Sequence, residues 1–195
     1  LTQCMTDSMG LTGTDTVCGI VPMFHAMGWG IPWSALMLGC KQVMPHRFMD
    51  PARLLDLMVA EKVTLSAGVP TIWQGVKGLY EANPDAYDLS ALSRLTCGGS
   101  SPPPSLIRWF WDELDVEMIQ GWGMTETSPL ATLSRRVMKR SQLALSEDEQ
   151  FENVAKAGQL MPGLELDIFD EEFNRLPHDG ETVGEILVRG PWICS

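Results

Sequence analysis

The chain has 195 residues, 45% of them apolar and 20% charged. A chain of that length and balance buries roughly 70% of the surface its unfolded form exposes, which argues against a disordered segment. Its formal charge is −11, from 25 acidic against 14 basic residues. Nucleic-acid binding requires local positive charge to displace counterions, so this composition speaks against that role and against docking on an anionic membrane.

The same charge makes a nucleotide site locally demanding. Such a site has to draw on backbone N–H groups, Mg²⁺ or cationic side chains supplied from elsewhere. The five cysteines (Cys4, Cys18, Cys40, Cys97 and Cys194) are odd in number, and no two stand at zinc-ligand spacing. They read as small buried hydrophobes in a reducing cytoplasm. Between Asp15 and Lys41 lie 25 residues without Asp, Glu, Lys or Arg, long enough by length alone to span a bilayer. Pro22 and Pro32 interrupt that stretch, and Gly19, Gly28, Gly30 and Gly39 loosen it. A buried strand followed by a buried helix is expected there, with no transmembrane segment. No basic n-region opens a signal peptide. The chain begins at Leu1 and stops at Ser195 just after a strand-like run, so both ends read as cut.

In chain order, Val17–Val21 is a short apolar run closed by Pro22 and reads as a strand. Ile31–Leu38 reads as a helix with Pro32 in its first turn and Gly39 as its stop. Gln42–Met44 is a short strand. Asp50 is placed as an N-cap and Pro51 as the first helical residue, with Leu54, Leu55 and Met58 forming an apolar face. Val63–Ala67 is a strand, Gly68, Val69 and Pro70 a turn, and Thr71–Asn83 a helix. Leu92–Cys97 is a strand that runs into Gly98, Gly99, Ser100 and Ser101. Pro103 and Pro104 open a helix carrying Leu106, Ile107, Phe110, Trp111 and Leu114. Val116–Ile119 is a strand, followed by a loop over Gly121–Pro129.

This alternation predicts an α/β fold, a mostly parallel sheet flanked by helices. The pattern changes near residue 160. Leu164, Leu166 and Ile168 alternate with Glu165 and Asp167, His178, Asp179 and Gly180 give a turn signal, and Gly184–Arg189 is a second strand. The expected division is an α/β subdomain over residues 1–160 and the beginning of an antiparallel β subdomain over 161–195.

Three segments carry chemistry. The first is the run Gln120, Gly121, Trp122, Gly123, Met124, Thr125, Glu126, Thr127, Ser128 and Pro129. Its glycines permit close backbone approach to a ligand. Trp122 offers a flat apolar face, and Thr125 and Glu126 offer a hydroxyl and a hard oxygen suited to phosphate and Mg²⁺. A glycine-rich turn leading into a helix with an acidic first turn explains the run equally well. The second segment is Gly98–Pro102, between a strand and a helix, where a flat base can approach the backbone; alone it is a weak signal. The third is Pro22, Met23, Phe24 and His25, where a satisfied structural histidine is the ordinary alternative to a functional one.

The first run resembles the Thr-Glu motif of the adenylate-forming superfamily, which includes acyl-CoA synthetases, luciferases and peptide-synthetase adenylation domains. That motif usually has Tyr where this chain has Trp122. Gly98–Pro102 resembles the family's adenine loop, and Phe24-His25 its aromatic-His motif. The runs Met23–Gly30, Ala67–Thr71 and Gly184–Trp192 resemble the fatty acyl-CoA branch, especially its medium-chain members.

The resemblance implies that Gly98, Gly99, Ser100, Ser101, Gln120, Gly121, Trp122, Gly123 and Thr125 bind nucleotide, with Thr125 at the α-phosphate. It implies that Glu126 helps hold Mg²⁺ and that His25 lies beside the acyl carboxylate; His25, Thr125 and Glu126 are the expected catalytic set. It further implies that Trp29, Gly30, Gly68, Val69 and Pro70 line the acyl pocket together with His25.

The implied activity is ATP-dependent ligation of a fatty or other small carboxylic acid to CoA through an acyl-adenylate, with ATP, Mg²⁺ and CoA required. The cytoplasm is the expected location, and a homodimer is left open. The family's phosphate loop, its Asp–Arg motif and its C-terminal domain with a catalytic Lys have no counterpart in these residues. A catalytically incompetent binding module, an acyl-AMP ligase and an aryl-CoA ligase therefore stand as alternatives. Arg135, Arg136, Lys139 and Arg140 form a basic cluster, read first as a solvated helical surface and second as a phosphate or CoA contact.

Overall fold

The computed structural model describes residues 8–47 and 49–194. Cys4, named above, lies outside them. Seven strands form one sheet, in the order β2-β1-β3-β4-β5-β6-β7. They are β1 (Thr16–Gly19), β2 (Lys41–Val43), β3 (Leu65–Gly68), β4 (Arg94–Cys97), β5 (Glu117–Gly123), β6 (Leu130–Ser134) and β7 (Gln159–Leu160). The pairs from β2 through β5 are parallel; β5–β6 and β6–β7 are antiparallel.

The helices are α1 (Ala26–Trp29), a single turn, then α2 (Ile31–Leu38), α3 (Pro51–Glu61), α4 (Pro70–Ala82), α5 (Pro104–Leu114) and α6 (Glu147–Val154). From β2 the chain returns over β1 to β3 and then steps on through β4 to β5, so right-handed crossovers put α3, α4 and α5 on one face. The step from β1 to β2 runs the other way, and α2 lies on the opposite face. Two apolar cores follow. Cys18, Leu95 and Met118 of the sheet meet Leu54, Leu55 and Met58 of α3, Trp73 of α4 and Phe110 of α5. On the other face Val17, Leu65, Ala67, Ile119 and Leu133 meet Ile31 and Ala35 of α2 and the preceding Met9 and Leu11.

Local chemistry sets these elements. Asp50 caps α3 by accepting from the Arg53 N–H at 3.2 Å, with Pro51 opening the helix. Ser146 caps α6 with Glu149 in a reciprocal capping box. At the sheet's amino-terminal edge, buried Asp15 accepts from the Thr64 hydroxyl at 2.6 Å and the Thr12 N–H at 2.8 Å, and pairs with Arg94. Arg94 also donates to the carbonyls of Met9 at 2.8 Å and Gly10 at 2.6 Å. That network ties the segment carrying Met9 to the face that holds the cleft described below.

Three sequence expectations are corrected. Residues 121–123 belong to β5 and not to a loop. Strands β6 and β7, absent from the sequence reading, extend the sheet antiparallel. The basic cluster is neither helical at Arg135–Lys139 nor uniformly solvated: Arg135 pairs with Glu117 inside the fold, and the Arg136 guanidinium lies 3.9 Å from the Trp111 ring centroid. Only Lys139 and Arg140 of the four are exposed. After the sheet, β8 (Glu165–Phe169) and β9 (Glu185–Arg189) pair antiparallel, as the alternation predicts. Asp179 accepts from the Glu181 and Thr182 N–H groups and forms the turn before β9.

Candidate functional site

A cavity of about 310 Å³ opens at the carboxyl ends of β1, β4 and β5, where ligands bind in open α/β sheets. His25, Trp29, Gly98, Gly99, Gly121, Gly123, Thr125 and Glu126, all named from the sequence, line it.

Each wall has a local cause. After β1 the chain turns at Pro22, whose carbonyl accepts from the His25 N–H at 2.9 Å. Ala26, Met27, Gly28, Trp29 and Gly30 then all have positive φ, between 40° and 72°. The turn α1 is thus wound left-handed. For an L-residue that costs roughly 1–2 kcal/mol, and such strain persists where surrounding packing enforces it. The packing is visible: Gly28 is buried against Met23 and Pro32, and the Trp29 ring lies against Gly98 and Gly99. His25 and Trp29 stand with ring centroids 6.5 Å apart, tilted by 58°.

The second wall is the β4 exit. The Gly98 N–H donates to the Gly68 carbonyl at 3.2 Å. A Cβ on Gly98 would come within 3.0 Å of the Gly121 carbonyl oxygen and 3.1 Å of the Trp29 ring.

The third wall is the end of β5. A bulge between Trp122 and Gly123 breaks the register with β6, and bulges re-aim the chain beside functional sites. A Cβ on Gly123 would overlap the Pro129 carbonyl oxygen at 1.8 Å, so only glycine fits the returning chain. Thr125, Glu126 and Thr127 form a 3₁₀ turn. Buried Thr127 anchors it, its hydroxyl oxygen accepting from the Met124 N–H at 2.9 Å. The Glu126 carbonyl accepts from the Cys194 N–H at 2.9 Å, tying the turn to the last described residues. The Thr125 and Glu126 side chains are exposed to the cavity mouth, and neither has a hydrogen bond or ion pair among the described residues. They are open to a ligand.

Other predicted residues stand outside the cavity lining. Ser100 and Ser101 are exposed on the loop beyond Gly99, with the Ser101 hydroxyl 3.5 Å from the Ala155 carbonyl. Trp122 is half-buried against the second core. Gln120 is buried, with no partner for its side-chain carbonyl. Gly30 separates α1 from α2, Gly68 ends β3 against the Trp73 ring, and Pro70 is a buried first residue of α4. Val69 lies behind the loop, 3.2 Å from where a Gly99 Cβ would stand. Met124 and Pro129 of the first run also line the cavity, and the residues that the sequence reading missed are Met9, Ala26, Ile31, Thr96, Leu130 and Leu133. Thr96 signals itself only as a hydroxyl within a strand two residues before the glycines.

Cys97, beside the loop, points into the opposite core, and burial pushes its thiol up to about 12. It is protonated at neutral pH and is no nucleophile for this site. Among the described residues no helix is long and apolar enough to cross a membrane.

Known proteins resemble the chain in sequence and in fold. The family described as AMP-binding enzyme matches residues 1–195. A long-chain-fatty-acid–CoA ligase of Thermus thermophilus is 40% identical over 195 residues, covering 100% of this chain and 35% of that protein. A medium-chain-fatty-acid–CoA ligase of Ectopseudomonas oleovorans is 39% identical over 195 residues, with coverage of 100% and 35%. The crystal structure of a long-chain-fatty-acid-CoA ligase from Archaeoglobus fulgidus superposes with a TM-score of 0.75 at 26% identity, covering 95% of this chain and 36% of that one. The chain spans about a third of the length of the curated relatives it matches.

Proposed function

Since the chain belongs to the AMP-binding enzyme family, we propose that it is the acid- and nucleotide-binding part of an ATP-dependent fatty acyl-CoA ligase of the cytoplasm. The observation that carries this reading is the single cavity in which His25 and Trp29 meet Gly98, Gly99, Thr125 and Glu126. The relatives named above are ligases of long- and medium-chain fatty acids, which supports a fatty acid as the substrate.

In this reading the acid's carboxylate attacks the α-phosphorus of ATP, pyrophosphate leaves, and the CoA thiolate then displaces AMP from the acyl-adenylate. The cavity's apolar walls take the acyl chain, and His25 sits beside its carboxylate. Gly98, Gly99 and Gly121 expose backbone to the nucleotide, and the half-buried face of Trp122 with Ser100 and Ser101 borders the base. Thr125 donates its hydroxyl to an α-phosphate oxygen, where charge grows during the transfer. Holding two anionic groups together is the main demand of this step, and fixed positioning supplies much of it.

Glu126 suits a Mg²⁺ ion, because its carboxylate is exposed and unpaired. Among the described residues no three acidic, His or Cys side chains gather, so the remaining ligands would be phosphate oxygens and water. When bound, the ion offsets phosphate charge.

The test is acid-dependent pyrophosphate release by the full-length protein. Glu126→Gln is expected to slow release by about a hundredfold or more while leaving fatty-acid binding nearly intact. Unchanged release would remove Glu126 from the mechanism. No release from the unaltered protein with any acid would favour a binding module without catalysis.

A further inference from the structure

Resting on the ligase reading, we propose that the segment Gly190–Cys194, which leaves β9, is a positioning element for the turn that carries Thr125 and Glu126. It holds the backbone of that turn, so that both side chains are placed before a ligand arrives.

The turn needs such a hold. Beyond the bulge at Trp122 and Gly123 the chain leaves the ladder and rejoins it at Leu130. In between, Thr125, Glu126 and Thr127 form one 3₁₀ turn, and a single turn gains few bonds for the dihedrals it fixes. Thr127 braces it from within, through the Met124 backbone. Thr125 and Glu126 are exposed.

Two hydrogen bonds reach the turn and its exit from the segment after β9. The Cys194 N–H donates to the Glu126 carbonyl at 2.9 Å, and the Trp192 indole N–H donates to the Leu130 carbonyl at 3.4 Å. The first fixes the backbone of the residue whose carboxylate the ligase reading gives to Mg²⁺. The second holds the point where the turn rejoins the sheet.

The segment is itself firmly seated. A Cβ on Gly190 would stand 2.2 Å from the Leu164 Cδ2 and 3.0 Å from the Gly163 carbonyl oxygen, so the chain leaves β9 pressed against the start of β8. The Ile193 N–H donates to the Gly190 carbonyl at 3.2 Å and closes a turn. The Trp192 ring lies 3.4 Å from where a Gly163 Cβ would stand, and Trp192 and Ile193 pack on the second core alongside Leu130 and Trp122. The β8–β9 ribbon thereby sets where Glu126 stands. Placement of that kind is worth much: a shift of about 1 Å costs roughly a hundredfold in rate.

The experiment uses the full-length protein. Cys194→Pro removes the N–H, Cys194→Ala keeps it, and Trp192→Phe removes the indole N–H while keeping an aromatic ring. One readout is hydrogen exchange, without ligand, of the Thr127 and Ser128 amides, which donate to the Met124 and Thr125 carbonyls. The other is kcat and KM for acid-dependent pyrophosphate release. Cys194→Pro is expected to speed exchange by about three- to tenfold, the worth of one lost hydrogen bond. It should lower kcat by about 10- to 100-fold with the KM for the acid within about twofold. Trp192→Phe should move both readouts the same way by a smaller factor, and it serves if Cys194→Pro does not fold. Cys194→Ala, the conservative variant, should match the unaltered protein. Unchanged exchange in Cys194→Pro and Trp192→Phe overturns the positioning role and leaves the ligase reading intact. A drop in Tm with kcat and the acid KM damaged alike means general loosening and overturns it too. If the unaltered protein releases no pyrophosphate with any acid, the ligase reading fails and the role in the reaction fails with it, while the exchange rates still report whether the segment holds the turn.

Discussion

Gly98→Ala tests the cleft where its tolerances are tightest. The added methyl would stand 3.0 Å from the Gly121 carbonyl oxygen and 3.1 and 3.4 Å from two Trp29 ring carbons. The Gly121 backbone is held on both sides, by β4 through the neighbouring residues and by Leu133 of β6, so it does not yield. The half-buried Trp29 ring does, by a few tenths of an ångström. Overpacking costs about 1–3 kcal/mol, and a movable ring places this substitution at about 1 kcal/mol. For a domain of this size that lowers Tm by about 2–4 °C. Ligand binding is expected to suffer more. A methylene in the wrong place costs about 10- to 200-fold in affinity, and this one occupies the surface that the nucleotide would approach. The assays are thermal unfolding and calorimetric titration with a non-reactive acyl-adenylate analogue. Gly39→Ala is the control: Gly39 has a φ of 76° and open space around its Cβ position, so it should lose about 1 kcal/mol of stability and no affinity. Gly98→Ala binding the analogue as tightly as the unaltered protein would refute a ligand-facing role for this loop.

Two further substitutions probe the framework. Asp15→Asn removes the charge partner of the half-buried Arg94 guanidinium, which keeps the Met9 and Gly10 carbonyls, and should cost about 1.5–3 kcal/mol in urea unfolding. Burial pushes the Asp15 carboxyl up, but the Thr64 hydroxyl, the Thr12 N–H and Arg94 together hold it below its ordinary value of 3.8. A depressed carboxyl contributes stability that is full above the unfolded value and fades as pH falls through about 3.8 and below. Tm measured from neutral to acid pH should therefore fall less steeply in Asp15→Asn. Met27→Gly should stabilise the protein by about 0.5–1 kcal/mol, because Met27 has a φ of 49° and is 62% exposed, so relief of strain outweighs lost packing. A loss of stability there would mean that the left-handed turn is not strained.

The parallel strands were legible because their burial on both faces leaves continuous apolar runs such as Val17–Val21. Helix starts were legible at Asp50 and Pro51, where cap chemistry is local. Strand β6 was hidden because its polar residues are buried by hydrogen bonds rather than exposed. The Thr132 hydroxyl donates to the Ala157 carbonyl at 2.6 Å and the Ser134 hydroxyl to the Asn153 carbonyl at 2.7 Å, and the alternation Ala131, Thr132, Leu133, Ser134 is only four residues long, two of them small residues with little strand preference. The left-handed turn at Ala26–Trp29 was illegible because Ala, Met and Trp carry no preference for positive φ; tertiary packing imposes it. In the cleft, the sequence pointed to the glycines and to Thr125, Glu126 and His25. It missed Met9, Ile31 and Leu133, which reach the cavity only through sheet order, and Thr96, whose β-branched side chain reads as an ordinary strand residue. The basic cluster misled because adjacent charges went to different partners, Glu117 for Arg135 and the Trp111 ring for Arg136.

The most direct test of the account is a crystal structure of the full-length protein with a non-reactive acyl-adenylate analogue. The account predicts the nucleotide's phosphate beside Thr125, the base along Gly98–Ser101, and the acyl chain in the cavity between Trp29 and Thr96. A nucleotide bound elsewhere, or an acyl chain that leaves this cavity empty, would contradict it.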